Sequence, residues 1–279
     1  MLHEWENIAV FFNNSEEGRL LLSFAAEAAE KFDAKLTAIC IDRSGDRRPY
    51  NAYVVGAAAR QEILEKYKTE QQSEMDDTEK LFHEIVNEYK IEAKYRRIGK
   101  YFSMDEIESE SFYCDVVVLG SPETRILPEG LTAEQILLKI GIPTVIVPAK
   151  WHAKSGEKNI VIAWNASHVV RKAIVDALPI VMTADAVRFL VIDNPDLDAK
   201  SGKEIINYLN DKGIKADIQY VESHDLSIAE TLIEHAEDLN ASLVIMGAYS
   251  RSRFTEMFLG GVTKELFFNE VSVPLFISR

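Results

Sequence analysis

One strand-to-helix pattern occurs twice in this chain, about 150 residues apart, and that duplication limits the fold more than any other feature. Asn7-Ile8-Ala9-Val10-Phe11-Phe12-Asn13-Asn14-Ser15 returns as Asn159-Ile160-Val161-Ile162-Ala163-Trp164-Asn165-Ala166-Ser167. Each copy is an apolar run of buried-strand type that stops at an asparagine, a small or polar residue and a serine. Apolar residues at helical spacing follow, Leu21, Phe24, Ala25 and Ala28 in the first copy and Val170, Ala173, Ile174 and Ala177 in the second. The serine suits a helix N-cap. Second strands, Leu36–Asp42 and Val187–Asp193, both end in aspartate. Third strands are expected at Ala93–Arg96 and Ala216–Tyr220, and fourth strands at Asp115–Gly120 and Ser242–Gly247. Each copy closes on a proline-led strand, Pro143–Val147 and Pro274–Ile277, where proline removes no interior ladder bond.

Strands alternating with helical segments imply right-handed βαβ crossovers and a mainly parallel sheet covered on both faces. The expected architecture is α/β, with two tandem Rossmann-like domains of five strands each, spanning 1–150 and 157–279. Apolar periodicity lapses around Lys150–Glu157, which reads as the link. In such sheets ligands bind beyond the carboxyl ends of the strands, where the strand order reverses. Those ends carry Asn13, Asp42 and Gly120 in one copy and Asn165, Asp193 and Gly247 in the other.

The copies differ in length. Asn13 to Gly120 spans 107 residues and Asn165 to Gly247 spans 82, so the first copy carries 25 more. The excess falls in a polar, helix-favouring stretch from about Ala57 to Tyr89, read as a solvated helix extension, with a partner-binding arm as the alternative. After Gly120 the first copy presents Pro122, Glu123, Pro128 and Glu129. Prolines lack an N–H and carboxylates repel phosphate, so this loop is a poor anion site.

The second copy reads differently. Val244-Ile245-Met246-Gly247-Ala248-Tyr249-Ser250 runs from a strand into a small-residue loop, and Gly260-Gly261-Val262-Thr263 then opens a helical segment. A helix N-terminus after such a loop offers unpaired N–H groups and a favourable dipole to phosphate. The spacing Gly-x2-Ser-x9-Gly-Gly resembles the Gly-x2-Gly-x9-Gly-Ser/Thr signature of the universal stress protein family, with Ser250 standing for a glycine and Gly261 for a hydroxyl residue. The resemblance covers essentially the whole chain as two fused copies. It implies a stress-associated regulatory protein that takes ATP or ADP in the second copy, with Mg as the accompanying ion. The site residues it carries over are Asn165 at the adenosine end, Val191 through its backbone near the base, Gly247 and Ser250 in the phosphate loop, and Gly260, Gly261 and Thr263 at the helix start. Asn165 stands where nucleotide-binding members usually carry aspartate. Arg251 and Arg253 could add charge-assisted contacts. The resemblance also implies a homodimer.

Composition narrows the partners. A formal net charge of −14 argues against nucleic acid and anionic membrane, both of which need a basic footprint. No apolar run reaches the ~18 residues of a membrane helix, and the first residues lack the basic region of a secretory signal, so a cytoplasmic protein is expected. Cys40 and Cys114 read as buried free thiols. The chain has no Gly-x4-Gly-Lys-Ser/Thr loop, no Gly-x-Ser-x-Gly elbow and no His-Glu-x2-His. Its histidines are scattered, so no catalytic or metal site is expected, and no residue stands out as a water-activating base for ATP hydrolysis. Trp164 is expected to pack in the core. Two readings stand: a nucleotide-binding regulator, and a nucleotide-free interaction scaffold or binder of another small ligand.

Overall fold

The computed structural model describes residues 4–43, 56–151, 158–194, 199–248, 261–268 and 271–279. Ten strands alternate with helices along these residues. The first copy supplies β1 (Asn7–Phe11), α1 (Glu16–Phe32), β2 (Lys35–Ile41), α2 (Ala57–Tyr89), β3 (Ala93–Ile98), α3 (Met104–Ser111), β4 (Val116–Gly120), α4 (Ala133–Ile140) and β5 (Thr144–Val147). The second supplies β6 (Asn159–Ala163), α5 (His168–Asp176), α6 (Leu178–Val181), β7 (Ala186–Ile192), α7 (Ala199–Asp211), β8 (Lys215–Val221), α8 (Ile228–Asp238), β9 (Ala241–Gly247), α9 (Gly261–Phe268) and β10 (Leu275–Ser278).

The chain divides into two compact units. One holds residues 6–114 and 125–140, and the other holds 1–5, 115–124 and 141–279. In the first unit β2 lies between β1 and β3, all parallel. The second unit orders its strands β4-β5-β10-β9-β6-β7-β8. The second copy therefore reads 5-4-1-2-3 by position in the copy, and the first copy keeps the same neighbours, 3-2-1 and 4-5. The pairings β1–β2, β2–β3, β4–β5, β6–β7, β7–β8, β6–β9 and β9–β10 are parallel. β5 and β10 pair antiparallel, Phe276 opposite Val145, so each proline-led last strand has its outer edge covered. Pro143 and Pro274 sit just outside these strands, and their carbonyls accept from Val117 N and Val244 N at 2.9 Å.

Local chemistry explains the element boundaries. Ser15 caps α1 by accepting from Gly18 N, Glu16 and Glu17 occupy its first turn, and Lys31 lies in its last. Its buried stripe of Leu21, Leu22, Ala25, Ala26 and Ala29 packs on the sheet. Ser167 caps α5 in the same way, accepting from Val170 N. The second-copy helix is broken where the first is continuous: α5 ends at Asp176, and Pro179 sits in the first turn of α6.

The long polar stretch forms the single helix α2. Met75, Thr78, Leu81, Phe82 and Ile85 are buried, and Arg19 of α1 makes a two-pronged bond to Glu84 at 2.9–3.0 Å. Its second half is thus a packed element of the first unit, and the solvated reading fits only residues 58–70, whose side chains are mostly exposed. Trp164 is 4% exposed and meets Phe189 edge-on at 5.5 Å, in the core. Cys40 is buried, whereas Cys114 is only partly buried and lies before β4; neither forms a disulfide. No helix of the described residues is long and apolar enough to cross a membrane.

An anchor that the sequence pattern does not announce lies near the N-terminus. Trp5 stacks on Phe276 with centroids 6.0 Å apart, and its indole N–H donates to the Asp176 carbonyl at 3.0 Å. Trp5 thereby finishes the core around β10 and the end of α5.

Candidate functional site

The strand order of the second copy reverses between β6 and β9, so the crevice expected of an open α/β sheet lies over their carboxyl ends. β6 leaves the ladder at Trp164, whose N–H bonds the Leu190 carbonyl at 2.9 Å. Val191 lies one residue beyond that last partner. It is buried, 1% exposed.

Asn165 follows at the surface. Its Oδ1 accepts from Ser167 N at 3.1 Å, an Asx turn that aims the chain into the capped start of α5. Between them Ala166 holds φ 56°, a left-handed conformation that costs an alanine roughly 1 kcal/mol. The first copy repeats the bond, Ser15 N to Asn13 Oδ1 at 3.0 Å. Both asparagines are therefore turn-formers in place.

Gly247 ends β9 directly against the first turn of α5. A Cβ there would stand 2.6 Å from Val170 N and 2.7 Å from Val169 C. Gly261, the first residue of α9, is the opposite case: it is exposed, and an added Cβ would meet nothing within 4 Å. Thr263, in the first turn of α9, is 5% exposed. Ser250, Gly260, Arg251 and Arg253 lie outside the described residues. The structure thus brings Asn165, Val191 and Gly247 to one end of the sheet and opens α9 at Gly261.

Asp193 completes the rim. At φ 51° it turns back so that its carboxylate accepts from Ser223 Oγ at 2.5 Å and Ser223 N at 2.8 Å. Those two bonds, the hydroxyl first, hold its carboxyl below the usual range. Both oxygens are thus committed to Ser223, tying the loops after β7 and β8 together. No group of three His, Cys, Asp or Glu converges as a metal site among the described residues. Sequence reasoning did not find this tie, because Asp193 and Ser223 are thirty residues apart and neither carries a local signal.

The loop after β4 is built otherwise. Pro122–Thr124 form a 3₁₀ turn, and Thr124, 4% exposed, donates to the Ser121 carbonyl at 2.7 Å. A Cβ on Gly120 would lie 2.3 Å from Thr124 Oγ1, so this loop folds its own side chain onto the strand end.

A doubly wound parallel sheet present in two copies, with a glycine at the switch point of the second, defines a tandem Rossmann-like α/β protein. The model of the universal stress protein family matches residues 4–148 and 185–278, and the chain belongs to that family. The second match begins after β6 and α5, so Asn165 lies outside it. Among solved structures, a universal stress protein from Archaeoglobus fulgidus DSM 4304 is similar over 98% of this chain and 96% of its own, at 13% identity and TM-score 0.70. A functionally unknown protein from Pseudomonas aeruginosa PAO1 is similar over 98% and 92%, at 13% identity and TM-score 0.61. At these identities the likeness concerns the fold. No curated protein matches the chain.

Proposed function

We propose that this universal stress protein is a cytoplasmic regulator that binds ATP or ADP in its second copy, residues 157–279, and acts as a homodimer. The observation that carries the reading is the pair of glycines with opposite surroundings. Gly247 lets the capped start of α5 close on the end of β9, and a Cβ added at Gly261, the first described residue of α9, would meet nothing within 4 Å among the described residues. A helix start with no side chain over it presents N–H groups to an anion, with the helix dipole in support. Asn165, whose Oδ1 is taken by the turn, offers its amide N–H to the adenosine end. Mg would be held mainly by the phosphates themselves, since Asp193 is spent on Ser223.

Calorimetric titration of ATP and of ADP tests this. One site per chain is expected. Gly261→Asp should abolish binding, because it sets a carboxylate where phosphate would sit, while the fold holds, because acids favour a helix N-terminus by about 0.3–1 kcal/mol. Glu123→Gln in the first copy should leave affinity unchanged. Unaltered binding in Gly261→Asp refutes the placement. Absence of heat with either nucleotide favours the second reading, a nucleotide-free scaffold, which the burial of Thr263 supports.

A further inference from the structure

The first copy contains a small, partly open pocket of about 80 Å³ over the carboxyl ends of β1 and β2. Asn13, Cys40 and Asp42 line one side, and Tyr67, Gln71 and Met75 of α2 line the other. In the repeat, Asn13 corresponds to Asn165, Cys40 to Val191 and Asp42 to Asp193. The cavity therefore sits at the first-copy equivalent of the adenosine end. That is well below the roughly 300 Å³ or more of a small-molecule site, so the space as it stands is too small for a nucleoside.

We propose that α2 is a resident plug, whose side chains fill the space that a base would take in the first copy. The inference rests on the placement of the adenosine end given above. Three observations carry it. The 25-residue excess that distinguishes the first copy falls in the region that supplies this roof. The roof is pinned by buried Met75, Leu81, Phe82 and Ile85, with Phe82 against Tyr95 at 5.5 Å. The Gln71 amide nitrogen is buried over the cavity with no hydrogen-bond partner. A buried donor without an acceptor is costly, and in a space of this size water supplies the acceptor. A helix evolved as a plain surface element would leave its glutamine in solvent.

Cys40 reports on the plug. Its thiol lies beneath α2, and burial raises its pKa to about 11, so it reacts only after the roof opens. The full chain carrying Cys114→Ser leaves Cys40 as its single thiol. Maleimide labelling of that parent should be slow. With Tyr67→Ala and Met75→Ala added, labelling should accelerate at least about tenfold, since it tracks local opening. Adenosine should then slow labelling in the opened variant and leave the parent unaffected. Adenosine is the probe because Asp42, Glu70 and Glu74 border the cavity and would repel phosphates. Should the double variant be unfolded by circular dichroism, Gln71→Ala, which trims the same roof, carries the test. Fast labelling of the parent would show that α2 closes nothing, and an opened variant indifferent to adenosine would show that the space is not a base position; either overturns the proposal. ATP titration of the parent reads the second copy separately. No heat there, together with adenosine protection of Cys40, would sink the second-copy site and leave the plug standing.

Discussion

Gly247→Ala probes the second-copy site where the structure sets the magnitude. The new Cβ would meet Val170 N at 2.6 Å, Val169 C at 2.7 Å and Val169 Cγ2 at 2.8 Å, against an ordinary contact of 3.4–4 Å. Two of those atoms are backbone, so the start of α5 must retreat by about 1 Å rather than a side chain swinging away. Overpacking of this kind costs about 1–3 kcal/mol, and a backbone obstacle places it near the top of that range. The lost glycine offsets about 0.4–1 kcal/mol by making the unfolded chain less disordered. The net loss is about 2 kcal/mol, or roughly 4–8 °C in Tm for a unit of this size. Gly261→Ala is the control: its Cβ meets nothing and its φ is not positive, so it should be neutral or stabilising by up to about 1 kcal/mol. Scanning calorimetry of both variants decides the matter. Retreat of α5 also shifts the Asn165 turn, so Gly247→Ala should weaken nucleotide binding as well. If Gly247→Ala melts like the wild type, the close approach of β9 and α5 is not real and the site geometry fails with it.

Two further outcomes follow from the same coordinates. Trp5→Ala should destabilise the protein by about 3–5 kcal/mol, through loss of the Phe276 stack and the Asp176 bond. Trp5→Phe, which keeps the ring, should cost only about 1 kcal/mol in urea unfolding. Asp193 titrates below the usual carboxylate range because of Ser223, so Ser223→Ala should raise its pKa, as read by carboxyl carbon NMR. The folded pKa is the depressed one, so any stability it contributes is present above the unfolded value near 3.9 and is lost as pH falls through the folded value. The melting temperature should therefore not vary with pH near neutrality on account of this group.

What the sequence makes legible is what neighbouring residues decide. The ten strands, the serine caps at Ser15 and Ser167 and the long α2 all come from apolar periodicity and capping chemistry within a few residues. The turn role of Asn13 and Asn165 was readable for the same reason. Contacts across long separations were not readable. Trp5 reaches Asp176 and Phe276, Asp193 holds Ser223, and α2 descends on Cys40; none leaves a local trace. Thr263 enters the candidate site through its place just after Gly260 and Gly261, yet its burial depends on how α9 packs against α8, which spacing does not encode.

Gly120 and Gly247 show how one residue type at one repeat position can serve opposite ends. Both end the fourth strand of their copy, and both are places where a Cβ would collide. At Gly120 the nearest atoms belong to Thr124, a side chain of the following loop, so the missing Cβ lets that loop collapse onto its own strand. At Gly247 the nearest atoms belong to α5, so the missing Cβ draws in the capped, N–H-bearing start of a helix instead. A self-filled strand end leaves nothing for phosphate, whereas a strand end abutting a helix start concentrates donors there. Under the proposed second-copy site, the difference between the copies at this position rests on which neighbour takes the space the glycine leaves, the following loop at Gly120 and the start of α5 at Gly247.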